Sequence, residues 1–306
     1  MKFAVMGAGA LGGYFGARLA AAGHSVGFIA RGTHLAALRD TGLRIVSPLG
    51  DLHLDRVTAS DAPADIGPVD VVLLAVKNGD VADAAKAIAP MLRDDTMVVT
   101  VQNGITAPEI LAETVGQHHV LPGVARIPGE ISEPGVMMHN SDNNALNFGE
   151  WSGGTSARAE ALLQAMTVPG MTPQRLDDIW ADLWTKFIMQ SAFSGVSAAG
   201  RLDIGQIRST PATTELFWSA MREAEAVARA EAAQVPDDVL DRVWGFMTSM
   251  PATVRASMLD DLRKGKPIEV DFLSGEIARR GRALGIPTPV QSTLHGLLRP
   301  YAKGMA

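Results

Sequence analysis

No cysteine occurs among the 306 residues. Disulfides, thiolate nucleophiles and cysteine-ligated metal sites are therefore excluded. The absence accords with a reducing compartment, and a cytoplasmic location is expected. No apolar run approaches the roughly 20 residues that cross a bilayer, so no membrane partner is expected. Positive charge is not in excess. The formal net charge is -6, which leaves no basic surplus to hold a nucleic-acid backbone. None of the seven histidines falls in an HExxH or other compact ligand set, so no catalytic metal is expected. No fixed-period repeat and no low-complexity tract breaks the chain.

What remains is ordinary globular composition, 47% hydrophobic and 20% charged, in a length that suits two domains. The opening segment 1–22 has Lys2, an apolar middle and a small-residue tail, as a signal peptide would. Its glycines and the embedded Arg18 argue against that reading.

The first half alternates short apolar runs with helix-like segments. KFAVMG (2–7), SVGFIA (25–30), VDVVLLAVK (69–77) and TMVVTVQN (96–103) read as buried strands. Helical spacing covers 10–22, 33–40, 80–92, 107–114 and 157–166, and 43–57 reads as a small hairpin. Continuous apolar strands require a sheet covered on both faces, and strands alternating with helices imply parallel pairing. From 119 to 149 the pattern is strand-like. After the break VPGMTP (168–173) the chain is almost wholly helix-like, over 178–199, 211–233, 237–248, 253–264, 269–284 and 289–302. The expected fold is α/β: a Rossmann-type doubly wound sheet over 1–170, then an all-helical domain over 171–306.

Gly7-Ala8-Gly9-Ala10-Leu11-Gly12 fits G-x-G-x-x-G between the first strand and first helix. Gly7 allows the tight turn, Gly9 lets a pyrophosphate approach the backbone, and Gly12 lets helix pack on strand. The helix start offers amides and partial positive charge to phosphate. An NAD enzyme usually places a carboxylate at the end of the second strand. Here that strand ends Ile29-Ala30-Arg31-Gly32-Thr33-His34. Arg31 can fork onto a 2′-phosphate and stack on adenine, so NADPH is favoured over NADH. The plain alternative for Arg31 is a solvated surface charge. Lys77, at the end of the third apolar strand, points to the ligand edge of such a sheet.

The opening GAGALGGYFGARLAAAGHSVGFIARGTHLAALRDTGLRI resembles the start of the ketopantoate reductases, and VVLLAVK (71–77) and VQNGI (101–105) continue the likeness. DLWTKF (182–187) is similar to that family's catalytic-lysine segment, and SMLDDLRKGKPIEVDFLSGEIARRGRALGIPTP (257–289) to its C-terminal signature. The resemblance implies NADPH-dependent reduction of 2-dehydropantoate to pantoate, a step of pantothenate biosynthesis, with a Rossmann domain and a helical domain around one cleft. It implies Lys186 as general acid, Glu269 as its partner in holding substrate and cofactor, Asn103 near the nicotinamide and the substrate, and Ser257 on the substrate carboxylate. The partner is a small 2-oxo acid. A homodimer is compatible with the sequence, which fixes no assembly.

Reducing a 2-oxo acid takes hydride to the carbonyl carbon and a proton to its oxygen, and a positioned ammonium can polarise and then donate. Asp182, Lys186, Gln190 and Ser194 share one stripe of a predicted helix that is otherwise apolar. A cleft-lining face reads this way, and so does an exposed Asp–Lys pair. Glu269 would also suit a first helical turn by charge alone, Ser257 would suit a helix start, and Asn103-Gly104 is a good turn dipeptide. Family members commonly carry substrate-holding Asn at the positions of Gln190 and Ser194. That departure leaves open a different 2-oxo acid. A non-catalytic NADPH-sensing regulator is a further alternative. A 3-hydroxyacid dehydrogenase pairs similar domains, and the 267–281 block argues against it.

Overall fold

The computed structural model describes residues 1–305. They divide into two compact units. One comprises Met1–Gln102 and Thr106–Ile179, and the other Asn103–Ile105 with the chain from Trp180 onward.

The first unit is built on a six-stranded, wholly parallel sheet. Its strands are β1 (Lys2–Met6), β2 (Ser25–Ile29), β5 (Thr58–Ser60), β6 (Val71–Leu74), β7 (Met97–Thr100) and β8 (Val120–Leu121), in the order β5-β2-β1-β6-β7-β8. Alternate side chains go to opposite faces, and both faces are covered. Phe3, Val5, Val71, Leu73 and Val99 enter one core, while Ala4, Met6, Val72, Leu74 and Val98 enter the other. That double burial is why these strands read as unbroken apolar runs.

Helices α1 (Ala10–Ala21), α2 (Gly32–Asp40), α3 (Pro63–Ile66), α4 (Val81–Ala87) and α5 (Thr106–Val115) connect them. The helix expected over 80–92 is shorter, with 3-10 turns at Asn78–Asp80 and Ala89–Met91. β3 (Leu43–Val46) and β4 (Leu52–Leu54) form the expected hairpin. They join β10 (Gly129–Glu133) and β11 (Val136–His139) in a second sheet, β10-β11-β3-β4.

A third sheet pairs β9 (Gly123–Arg126), β12 (Ala145–Phe148) and β13 (Thr172–Arg175). Helix α6 (Ala157–Met166) precedes β13. Because β13 pairs with β12, the first unit runs on to Ile179, past the division expected at 170.

The second unit is helical: α7 (Ile179–Gly200), α8 (Ile204–Ser209), α9 (Pro211–Ala230), α10 (Val239–Ser249), α11 (Ser257–Arg263), α12 (Ser274–Leu284) and α13 (Pro289–Leu298). α9 packs against α8, α10, α12 and α13 through Phe217, Ala220, Met221, Ala224 and Val227 on its buried face. The helix expected over 269–284 is interrupted. Val270–Phe272 is a 3-10 turn, and Leu273 at φ -114°, ψ -98° separates it from α12.

An ion network fixes α12. Glu276 is 5% exposed and Arg280 6% exposed. Arg280 donates to Glu276 at 2.6 Å and to Glu231 at 2.5 Å. The Arg280 guanidinium lies 5.9 Å from the centre of the Trp184 ring on α7. Satisfying both charges with several partners is what makes their burial tolerable.

Candidate active site

In the first unit, the glycine turn joins β1 to α1. Gly7 has φ +98°, and a Cβ there would stand 2.9 Å from the Val76 amide, so only glycine fits. A Cβ on Gly12 would stand 2.7 Å from Val5, besides colliding with the Gly7 carbonyl. Gly9 differs. Its φ is -72°, allowed to any residue, and a Cβ there would meet nothing within 4 Å. The protein itself gives no reason for glycine at that position. The space is what the approach of a phosphate requires.

Ile29 carbonyl accepts from the amides of Gly7 at 3.2 Å and Ala8 at 2.9 Å, pinning the turn to β2. The first helical bond runs from Gly13 to the Gly9 carbonyl at 2.7 Å. The amides of Ala10, Leu11 and Gly12 therefore lie in the first turn, where no intrahelical acceptor exists. Such a helix mouth carries partial positive charge.

Arg31 is exposed just beyond β2, as the extended residue before α2. Lys77 is exposed beyond β6, at the start of the Asn78–Asp80 turn. Both lie beyond the carboxyl ends of their strands, the edge where doubly wound sheets bind ligands. The sequence reading missed Gln102. Its side-chain amide donates to Leu74 O at 2.8 Å and Val76 O at 3.1 Å, and its oxygen accepts from the Val101 amide at 3.2 Å. It ties the chain leaving β7 to the end of β6. A lone Gln after a strand gave no signal of this in sequence.

In the second unit, α7 presents Lys186 and Gln190, both half-buried, one turn apart. The side-chain oxygen of Asn103 accepts from Lys186 Nζ at 3.2 Å and from Gln190 Nε2 at 2.8 Å. Lysine has donors only, so the atom facing it is the Asn103 oxygen. Gln190 then turns its own oxygen to the Gly104 amide, at 3.5 Å. Gly104, at φ +82°, lies close to the Val270–Phe272 turn, because a Cβ there would stand 3.0 Å from the Phe272 carbonyl. The lysine, the asparagine and the turn after Glu269 are thereby gathered in one place.

Glu269 is half-buried immediately before the Val270–Phe272 turn. Asp271 in that turn is engaged by His295 at 2.8 Å and Arg299 at 2.9 Å, which makes it a structural anchor. Ser194 is 7% exposed, deep in α7. Ser257 is exposed at the first residue of α11 and lies outside the hydrogen-bonded group around Lys186. Among the described residues no helix is long and apolar enough to cross a membrane.

A parallel sheet with an open glycine turn, and a helical unit holding an ammonium beside an amide, are features that nucleotide-dependent oxidoreductases use. The comparisons with known proteins narrow this. Residues 3–153 match the family model described as ketopantoate reductase PanE/ApbA, and residues 178–302 match its C-terminal model. The chain belongs to the ketopantoate reductase family.

It is 30% identical to a 2-dehydropantoate 2-reductase of Mesorhizobium japonicum, over 99% of this chain and 98% of the relative. It is 32% identical to one from Archaeoglobus fulgidus, over 98% of both. The crystal structure of a PanE/ApbA family ketopantoate reductase from Ralstonia eutropha is similar with a TM-score of 0.91 and 34% identity, covering 99% of this chain and 98% of that one.

Proposed function

We propose that this chain reduces 2-dehydropantoate to pantoate with NADPH, and that Lys186 is the general acid. The observation that carries the reading is the pair of bonds to Asn103 from Lys186 and Gln190. They direct the ammonium and the neighbouring amide of α7 onto one oxygen, which fixes where the proton donor stands.

Gly7 to Gly12 would cradle the pyrophosphate, and Arg31 the 2′-phosphate. Lys77 and Asn103 follow the strand ends nearest the nicotinamide in such a sheet. NADPH, when bound, would supply the hydride. The Lys186 ammonium polarises the ketone and transfers a proton to its oxygen as the carbonyl carbon is reduced. Lysine is left neutral and is reprotonated from solvent. Glu269 and Ser257 are proposed to hold the acid, with Gln190 and Ser194 shaping its pocket.

A second reading keeps this chemistry on a different 2-oxo acid. Gln190 is already bonded to Asn103 and Gly104, and Ser194 is short and buried. Gln is one methylene longer than the Asn common at its position in the family and Ser is shorter, so the pocket is shaped differently at both.

Turnover of 2-dehydropantoate and a panel of branched 2-oxo acids, followed by NADPH consumption, tests both. Turnover of another acid alone would reject 2-dehydropantoate. Lys186→Ala should cut kcat by about 10³-fold while NADPH still binds. A chain whose Lys186→Ala variant keeps full biological output would instead be a nucleotide sensor.

A further inference from the structure

The glycine turn is pinned at a second point by a residue outside the motif. His34, on α2, donates from Nε2 to the Ala8 carbonyl at 2.8 Å and accepts at Nδ1 from the Gly135 amide at 3.1 Å. The two partners fix the tautomer. A carbonyl only accepts and an amide only donates, so the ring carries its proton on Nε2. Burial lowers the His34 pKa from the ordinary imidazole value of 6.5, the Ala8 bond opposing it, so the neutral ring is the form present at neutral pH.

The Ala8 carbonyl shares one peptide plane with the Gly9 amide. In a trans peptide these groups point in opposite directions. Whatever holds the carbonyl therefore aims the N–H. His34 draws the carbonyl toward α2, which turns the Gly9 amide the other way. Gly9 is also the one motif glycine beside open space. The other end of the imidazole holds Gly135, in the turn between β10 and β11. Gly129, at the start of β10, lies beside Ala10, since a Cβ on it would stand 3.9 Å from the Ala10 Cβ. One ring thus spans the phosphate turn and the hairpin that flanks it.

We propose that His34 is a positioning residue for the dinucleotide: by holding the Ala8 carbonyl it presents the Gly9 amide to the pyrophosphate. The inference rests on the nucleotide reading above. It assigns His34 no contact with the cofactor.

Two substitutions separate this role from a merely structural one. His34→Asn keeps an acceptor near the Nδ1 position for Gly135, and its side chain is too short to donate to Ala8. His34→Gln retains a donor at the Nε2 position. NADPH titration should show His34→Asn binding about five- to tenfold more weakly than wild type, the worth of one hydrogen bond. Its kcat at saturating NADPH should stay within about twofold and its melting temperature close to wild type. His34→Gln should recover most of the affinity.

Should His34→Asn fold and bind NADPH as wild type does, His34 is structural only and the proposal is overturned. Equal weakening in both variants would overturn it as well, since the donor would then be irrelevant. If His34→Asn does not fold, His34→Gln alone decides: wild-type affinity supports the proposal, and a loss matching that of His34→Ala rejects it. A wild-type chain that binds neither NADPH nor NADH removes the nucleotide reading itself, a result distinct from wild type and His34→Asn binding equally.

Discussion

Lys186 and Asn103 lie 83 positions apart in the chain and meet at 3.2 Å. The asparagine oxygen also takes the Gln190 amide, so one acceptor orients two side chains of α7. Removing it with Asn103→Ala should take away one hydrogen bond that directs the lysine. Under the proposed mechanism kcat falls by about tenfold or more. Steady-state kinetics with the preferred acid checks this. Unchanged kcat would separate Asn103 from the chemistry.

Two of the motif glycines, Gly9 and Gly12, should respond differently to alanine. At Gly9 the backbone is compatible and the space is open. Gly9→Ala should therefore melt within a few degrees of wild type, yet lose dinucleotide affinity by about tenfold or more as its methyl group meets the phosphates. At Gly12 a methyl group meets Val5 and the Gly7 carbonyl. Gly12→Ala should lose about 1–3 kcal/mol of stability, as overpacked cores do. Denaturant unfolding and NADPH titration on both variants separate the two effects.

Arg31→Ala should weaken NADPH binding by about 10²-fold while changing NADH affinity little, because only the former carries the 2′-phosphate. Parallel titrations with the two cofactors provide the comparison. Equal weakening would remove Arg31 as the discriminating group.

Glu276 sets a pH dependence of stability. Burial alone would raise its pKa. The hydrogen bonds from Arg279 and Arg280 outweigh that and hold it below the ordinary 4.5. A carboxylate whose folded-state pKa is depressed stabilises the fold above the unfolded value and loses that contribution as pH falls through the folded one. Melting temperature should therefore drop as acid is added below about pH 4.5. Glu276→Gln should cost about 3 kcal/mol at neutral pH, since Arg280 stays buried, and should flatten part of the acid limb.

Ala232, after α9, has φ +58°. Left-handed backbone costs a residue with a Cβ about 1 kcal/mol, and glycine avoids it. Ala232→Gly should raise stability by up to that amount, less the entropy of the more flexible unfolded chain. A lower midpoint in denaturant would contradict this.

The readability of the fold followed burial. β1, β6 and β7 are covered on both faces, so their apolar runs announced them. β5 is three residues, Thr-Ala-Ser, at the edge of the same sheet. An edge strand needs little apolar character, and nothing in its sequence set it apart. α8, at six residues, was too short to show a period. The break at Leu273 was hidden because apolar spacing continues through Val270–Phe272 into α12.

In the site, the glycine spacing and the Lys186 stripe were visible because each is local. His34 was not, since its partners are 26 and 101 positions away. Gln102 was equally silent, its meaning residing in carbonyls 26 and 28 positions back.

The order β5-β2-β1-β6-β7-β8 places β1 at the interior of the sheet, between one strand that follows it closely in the chain and one that comes much later. β1 finds one neighbour in β2 almost at once, but its other side waits for Val71–Leu74. During translation a hydrophobic strand edge therefore stands open for dozens of residues, a template for pairing with another nascent chain. A fragment that stops short of β6 leaves this edge of β1 uncovered, and the arrival of β6 closes the gap.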